Sequence, residues 1–445
     1  MKNNYIILFI AFIIIIIMNN YDTIKIWIIN RIIFNRGILV PNRFWYQISD
    51  LFLSDGAGIN LYNDYKKKYG DFGKSTMFDK DLYLVTNVNY IKIILDNSPH
   101  IFGVGEIKRT FFNVFMPKNV GVSTGCPWKR RRHMNEVALE TDQLHEYSPK
   151  YNQDLFESLI EWENKSEFRY DDFLTISKRM TSKIIFNENK IHDDIFNYLS
   201  DVNTTEVFSN PNFKVNQSVK DNFTQTINHS IDHPNPESLI ELCLTVSDDK
   251  DEIFDQIPHF IFPIAGLFIT TIPRLLIMIF NHENVLQKVI QEIHSLNNSK
   301  EIYHMKYLRK CIMETLRLIN PLITTFRTLL EDYQFDEKYS FTKGTQFLIL
   351  NNPVLREEEY FKEPNKFIPE RWTQETEQSY YSISFNQGPQ RCPAKELVIF
   401  LSQSFIYNLF TIKNINENTK IKINQIDTEN IPQITNPFSI HLNIH

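Results

Sequence analysis

The chain has 445 residues, room for one large domain or two to three ordinary ones, and its apolar fraction of 42% is that of a globular protein with a sizeable core. Its 12 glycines against 35 phenylalanines exclude a loop-rich all-β fold and a set of glycine-dependent phosphate loops. A net charge of −6 excludes a globally basic nucleic-acid binder, and four scattered cysteines (Cys126, Cys243, Cys311, Cys392) exclude a disulfide scaffold or a zinc site of ordinary spacing.

In chain order, the N-terminus comes first. Asn3 to Tyr21 is uncharged and Tyr5 to Met18 is continuously apolar. Spanning a bilayer takes about 20 residues, with a minimum near 17, so interfacial Asn and Tyr complete a short span. No small-residue cleavage site follows, which favours a retained anchor over a removed signal peptide. Lys25, Arg31, Arg36 and Arg43 follow the segment and only Lys2 precedes it, so the positive-inside rule leaves the body in the cytosol. Residues 1–35 are therefore read as an anchor with a juxtamembrane stretch, and 36–445 as one catalytic domain.

Asn60 to Lys74 reads as a helix ending in a turn, Leu82 to Val88 as part of a strand pair, and 91–97 as a helix. From Trp128 to Asn187 the pattern is helical. Residues 203–237 are polar and carry Pro211, Pro234 and Pro236, the mark of a mobile surface region or of short helices joined by loops. Ile253 to Phe280 is long and apolar enough for a second span. Pro258, Pro263 and Pro273 interrupt it, and Asp255, His259 and Arg274 sit in it, so a kinked helix through the core is the better reading. His282–Leu296 and His304–Ile319 are amphipathic helices, 325–350 alternates around a Lys343-Gly344-Thr345 turn, and Lys395–Leu409 is a last helix before β-prone residues. The chain reads as mainly α with a minor β portion.

Four constellations carry chemistry. The stretch Phe385-Asn386-Gln387-Gly388-Pro389-Gln390-Arg391-Cys392-Pro393-Ala394 sets a cysteine before a helix, where backbone N–H groups favour a thiolate. A lone cysteine is more often a buried, inert side chain. Glu314-Thr315-Leu316-Arg317 places a carboxylate and a guanidinium on one helix face. Arg371, in Pro369-Glu370-Arg371-Trp372, completes a partly buried ion network if it folds back on them. Trp128 and Arg132, four apart, together can hold a carboxylate, although the basic run Lys129–Arg132 also fits a solvated or membrane-facing surface.

In that order and spacing the four resemble the cytochrome P450 family, from about residue 36 to the C-terminus. The resemblance implies that family's fold, with haem between a long distal helix and a proximal cysteine loop. It makes Cys392 the thiolate ligand of the haem iron, a ligand that promotes O–O cleavage. It sets Phe385 beside the ligand loop and assigns Trp128, Arg132 and Arg327 to the propionates. Glu314, Arg317 and Arg371 become the structural network behind the haem. Aromatic residues in 101–120 (Phe102, Phe111, Phe112, Phe115) fall where the substrate-facing loop is expected. The implied partners are an apolar small molecule, an NADPH-dependent reductase and the endoplasmic reticulum membrane, and no nucleic acid.

Two positions depart from the pattern. The place two before the cysteine, basic in the family, is Gln390, and Arg391 is its nearest substitute. The distal Ala-Gly-x-Asp/Glu-Thr reads Ala265-Gly266-Leu267-Phe268-Ile269-Thr270-Thr271, so Phe268 and Ile269 replace the acid and alcohol that deliver protons. Thr270 or Thr271 reaches the site only through a kink. Three readings follow: a monooxygenase, a reductase-independent hydroperoxide or endoperoxide isomerase or dehydratase, and a catalytically degenerate haem-binding protein.

Overall fold

The computed structural model describes residues 57–77, 80–113, 115–202, 215–322, 324–431 and 439–445; the anchor expected at 1–35 lies outside them. Helix α1 (Ala57–Tyr69) stops at Gly70, whose φ of +72° ends it one turn earlier than expected. The chain turns directly into the antiparallel pair β1 (Phe72–Met77) and β2 (Lys80–Val85), with Phe72 opposite Val85. There follow α2 (Val88–Asp96), β3 (Phe102–Val104) and α3 (Glu106–Phe112), so the first half of 101–120 is a strand and a helix and not an open loop. Phe102 does not face a ligand: it is fully buried among Tyr333, Phe335 and Phe347.

Next come α4 (Gly125–Ala138), α5 (Ser148–Leu159), β4 (Glu167–Arg169), α6 (Tyr170–Phe186), α7 (Asp193–Val202) and α8 (Gln217–Asp232). The last decides, within the described part of 203–237, for the helical alternative, residues 203–214 lying outside the described ones. Asn216 caps α8 through Ser218 N–H at 3.0 Å, and Phe223, Ile227 and Ile231, spaced by four, bury one face. The long apolar segment becomes α9 (Lys250–Gly266) and α10 (Ile272–Phe280). It is long and apolar enough to cross a membrane, but it runs through the helical core, as its prolines and charges predict. α11 (Glu283–His294) and α12 (Lys306–Leu318) pack on it.

Strands β5 (Thr324–Leu329) and β8 (Gln346–Leu350) complete the sheet, in which the order is β1-β2-β8-β5-β3, and between them β6 (Tyr333–Gln334) and β7 (Ser340–Phe341) pair as a separate two-stranded ribbon. Helix α13 (Lys395–Ile412) and the short strands β9 (Ile421–Lys422) and β10 (His441–Ile444) close the chain. Two apolar cores result: a large one among the helices and an aromatic-rich one around the sheet.

Candidate functional site

The cysteine loop is fixed at many points. Gln387 Nε2 donates to the carbonyls of Glu377, Ser379 and Ser382, each at 3.1 Å. Gly388 has φ +71°, and a Cβ there would stand 2.5 Å from the Leu95 carbonyl oxygen of α2. Cys392 N–H donates to the Phe385 carbonyl at 2.8 Å. From α4, Arg132 Nη1 donates to the Arg391 carbonyl at 2.7 Å, and Thr141 Oγ1, just beyond, to that of Pro393 at 3.0 Å. The thiol itself departs from expectation. Burial pushes the half-buried Cys392 up, and the Ala394 N–H, Arg132 and Lys395 pull it down by less. Helix α13 begins only at Lys395, too far along for its N-terminus to outweigh desolvation. Gly388→Ala should cost about 2 kcal/mol or more, from left-handed strain plus the Leu95 clash, read as a lower denaturation midpoint.

Behind this loop Glu314 is fully buried and accepts from four groups. Arg317 pairs with it through two nitrogens at 2.8 and 2.9 Å, Arg371 Nε at 3.1 Å, Ile368 N–H at 3.0 Å and Trp372 Nε1 at 2.8 Å. Burial opposes the ionised carboxylate, yet Arg317 and Arg371 outweigh it and hold Glu314 below the usual range. The indole of Trp372 was not anticipated, although it directly follows Arg371. Nor was a second network: Arg309 bridges Glu377 (2.8 Å) and Glu396 (2.7 Å), and Lys395 meets Glu377 at 2.8 Å. It ties α12 to both sides of the cysteine loop. Arg309 lies 68 and 87 residues from its two partners and Lys395 lies 18 from Glu377, so no local motif announces it.

The distal helix changes pitch where α9 meets α10. Leu267–Thr271 is a π-turn in which Ile272 N–H reaches the Leu267 carbonyl. Pro273 lacks an N–H for the Ile269 carbonyl and its ring crowds it, which forces the widening. This extra residue changes the register. Phe268 is fully buried against Phe405 and Thr271 is buried, whereas Ile269 and Thr270 are half-buried with Gly266. Thr270 Oγ1 donates to the Gly266 carbonyl at 2.6 Å. A Cβ on Gly266 would meet nothing within 4 Å, so this face opens on space inside the helical core. Phe112, Phe115 and Phe262 form an aromatic wall beside it, with neighbouring centroids 5.7 Å apart. Gly266→Ala should therefore leave stability unchanged or raise it by up to about 1 kcal/mol, in contrast to Gly388→Ala.

Trp128 and Arg132 are both buried on α4, and Arg132 Nε also pairs with Glu136 at 2.7 Å. Arg327 of β5 is buried and donates to Ser98 Oγ at 2.9 Å. Burial lowers its guanidinium to about 10. Arg391 does not point inward: its side chain is half-exposed and pairs with Asp142. That expectation is overturned because the extended residue after Gln390 presents its carbonyl, not its side chain, to α4. The neighbouring cations are also committed, since Arg130 and Arg131 converge on the buried Glu252 of α9. Haem fits these residues: an apolar face at Gly266, a sulfur on a clamped loop, and the buried cation Arg327, which has no carboxylate paired to it among the described residues.

The Cytochrome P450 family model matches residues 153–409. A probable cytochrome P450 508A4 of Dictyostelium discoideum is 30% identical over 197 residues, 38% of each chain. The taxane 10-beta-hydroxylase of Taxus cuspidata is 27% identical over 227 residues, covering 46% of this chain and 45% of its own. These matches thus span less than half the length of the relatives. The retinoic acid-bound cyanobacterial CYP120A1 superposes with a TM-score of 0.69 at 17% identity, over 87% of this chain and 94% of that one. With the family match covering more than half its length, the chain belongs to the cytochrome P450 family.

Proposed function

We propose that this chain is a haem-thiolate monooxygenase that inserts one oxygen atom of O2 into an apolar organic substrate, with electrons from an NADPH-dependent reductase. Family membership makes haem with a thiolate ligand the cofactor. The observation that carries the reading is the clamped Cys392 loop, held by α4, by the Phe385 carbonyl and by the Gln387 side chain. Cys392 would ligate the iron, while Trp128, Arg132 and Arg327 would take the propionates. When bound, haem supplies the O2 chemistry, and a thiolate ligand favours O–O cleavage.

The residues of the distal helix do the rest. Thr270 holds its hydroxyl on the Gly266 carbonyl, next to the open face, from where it would pass a proton. Ile269 precedes it, so the adjacent position offers no carboxylate to relay protons to that hydroxyl. The aromatic wall of Phe112, Phe115 and Phe262 excludes water and orients an apolar substrate. Residues 1–35 are taken as an anchor in the endoplasmic reticulum membrane, and 36–445 as the cytosolic catalytic domain.

The missing acid favours a second reading, a reductase-independent isomerase or dehydratase of a hydroperoxide. Reconstitution separates the two. Product formed only with reductase and NADPH supports the monooxygenase; turnover of a fatty-acid hydroperoxide without either supports the second. Haem content with neither turnover would leave a degenerate haem protein. Under the first reading Thr270→Ala should cut product per NADPH consumed several-fold, as proton delivery falters and reducing equivalents are wasted, while Thr271→Ala leaves that ratio unchanged.

A further inference from the structure

The inner face of α9 carries a polar side chain that the proposed chemistry does not use. Between Asp255 and Gly266 this helix is buried except at His259, Phe262, Pro263 and Gly266. Spaced by three, four and seven from His259, they share one face. That face opens on the space beside Gly266, where a Cβ would meet nothing within 4 Å. Phe262 already belongs to the aromatic wall there, through its contact with Phe115. His259 stands two turns before Gly266, roughly 10 Å along the helix axis.

The imidazole is bare. Among the described residues neither ring nitrogen of His259 has a hydrogen-bond partner. Three other histidines of the interior are each met. His145 Nε2 lies 3.1 Å from the Ala138 carbonyl, His192 Nε2 3.0 Å from Glu188, and His282 Nδ1 2.7 Å from the Met278 carbonyl. A polar group taken out of water without a partner costs free energy, so an unmet ring on a cavity face is poised for a ligand atom.

Burial first, and then Lys108 and Arg132, lower His259 to about 4. At neutral pH the ring is uncharged, with one N–H donor and one bare nitrogen acceptor. The two cations nearby repel an ammonium group, and a neutral ring offers no counter-charge to a carboxylate. A hydroxyl both donates and accepts, so it suits whichever ring nitrogen faces it.

We propose that His259 is a specificity-determining residue that hydrogen-bonds a hydroxyl group of the substrate. The proposal rests on the monooxygenase reading above and narrows its substrate class. The substrate is an elongated apolar molecule whose hydroxyl lies roughly 10 Å from the carbon presented at Gly266. Phe115 and Phe262 pack the apolar length between the two ends.

The test uses the full chain purified with haem and two probes of equal length, 1-decanol and decane, with binding read by equilibrium dialysis. His259→Leu should lower the affinity for decanol relative to decane at least about fivefold, the effect of one lost hydrogen bond. A smaller change in that ratio would overturn the inference. Equal weakening of both probes, the mark of a purely structural role, is such a result, and a wild type that binds no decanol overturns it as well. His259→Phe, nearer in size, gives the same comparison if the leucine variant does not fold. Dialysis needs no turnover, so the parent reading fails separately, if Cys392→Ser keeps the wild-type spectrum of the reduced carbon monoxide complex while the decanol ratio still moves.

Discussion

Cys392→Ser should abolish the red-shifted Soret band of the reduced carbon monoxide complex while leaving the fold in place. The serine hydroxyl keeps the loop geometry: the fixing contacts are the Cys392 N–H to Phe385, the Arg391 carbonyl to Arg132 and the Gln387 staple, none of which uses the sulfur. What is lost is the electron-rich ligand, since an alcohol does not ionise in a site where burial already pushes a thiol upward. Absorption spectroscopy on the variant, with circular dichroism to report the fold, decides the matter. A Soret band unchanged by the substitution would exclude Cys392 as ligand. Loss of the band together with the helical signal would instead point to unfolding, and Cys392→His, which offers a different ligand atom, then tests ligation by its own distinct spectrum.

The second large effect concerns stability. Glu314→Gln should destabilise the protein by about 3–5 kcal/mol, because two guanidinium groups lose their buried counter-charge. Arg317 and Glu314 side chains are 0% exposed and that of Arg371 is 12% exposed, so solvent screens little of this loss. Arg317 would keep its contacts to the Leu355 and Pro364 carbonyls at 2.9 and 2.8 Å, but these neutralise no charge. Denaturation in guanidinium reports the difference, and a loss under about 1 kcal/mol would show that the network contributes little. The pH dependence has a definite sign. A carboxyl held below its ordinary value contributes stability fully present above an unfolded value near ~4.3, and lost as pH falls through the folded one. The wild type should therefore weaken in acid more steeply than Glu314→Gln.

Much of the site is legible from the chain. Cys392, Glu314, Arg317 and Arg371 lie in short runs whose chemistry is local: a turn with Gly388, a pair at i and i+3, a proline-led bend. Those runs keep their geometry wherever the fold sets them down. Helix content is equally readable, because Phe223, Ile227 and Ile231 or the capping Asn216 act within one or two turns. Even there, a run of polar residues concealed α8, since three apolar side chains in the right phase suffice to bury a face.

Readable from the residues alone is a mainly helical chain with a prolyl-kinked apolar helix, and the order of its four short motifs carried the family resemblance that gave the cysteine loop and the carboxylate–guanidinium network their roles. Only the tertiary structure decided the distal register, because a π-turn at Pro273 inserts one residue into the helical phase and leaves Ile269 and Thr270 half-buried with Gly266 while Phe268 and Thr271 are buried. It alone sent Arg391 outward to Asp142, 249 positions away, and joined Trp372 to Glu314. Charges separated that far in the chain meet only when strands pair and helices pack. No periodicity records such a meeting, because it depends on where whole elements end and not on which residues neighbour one another.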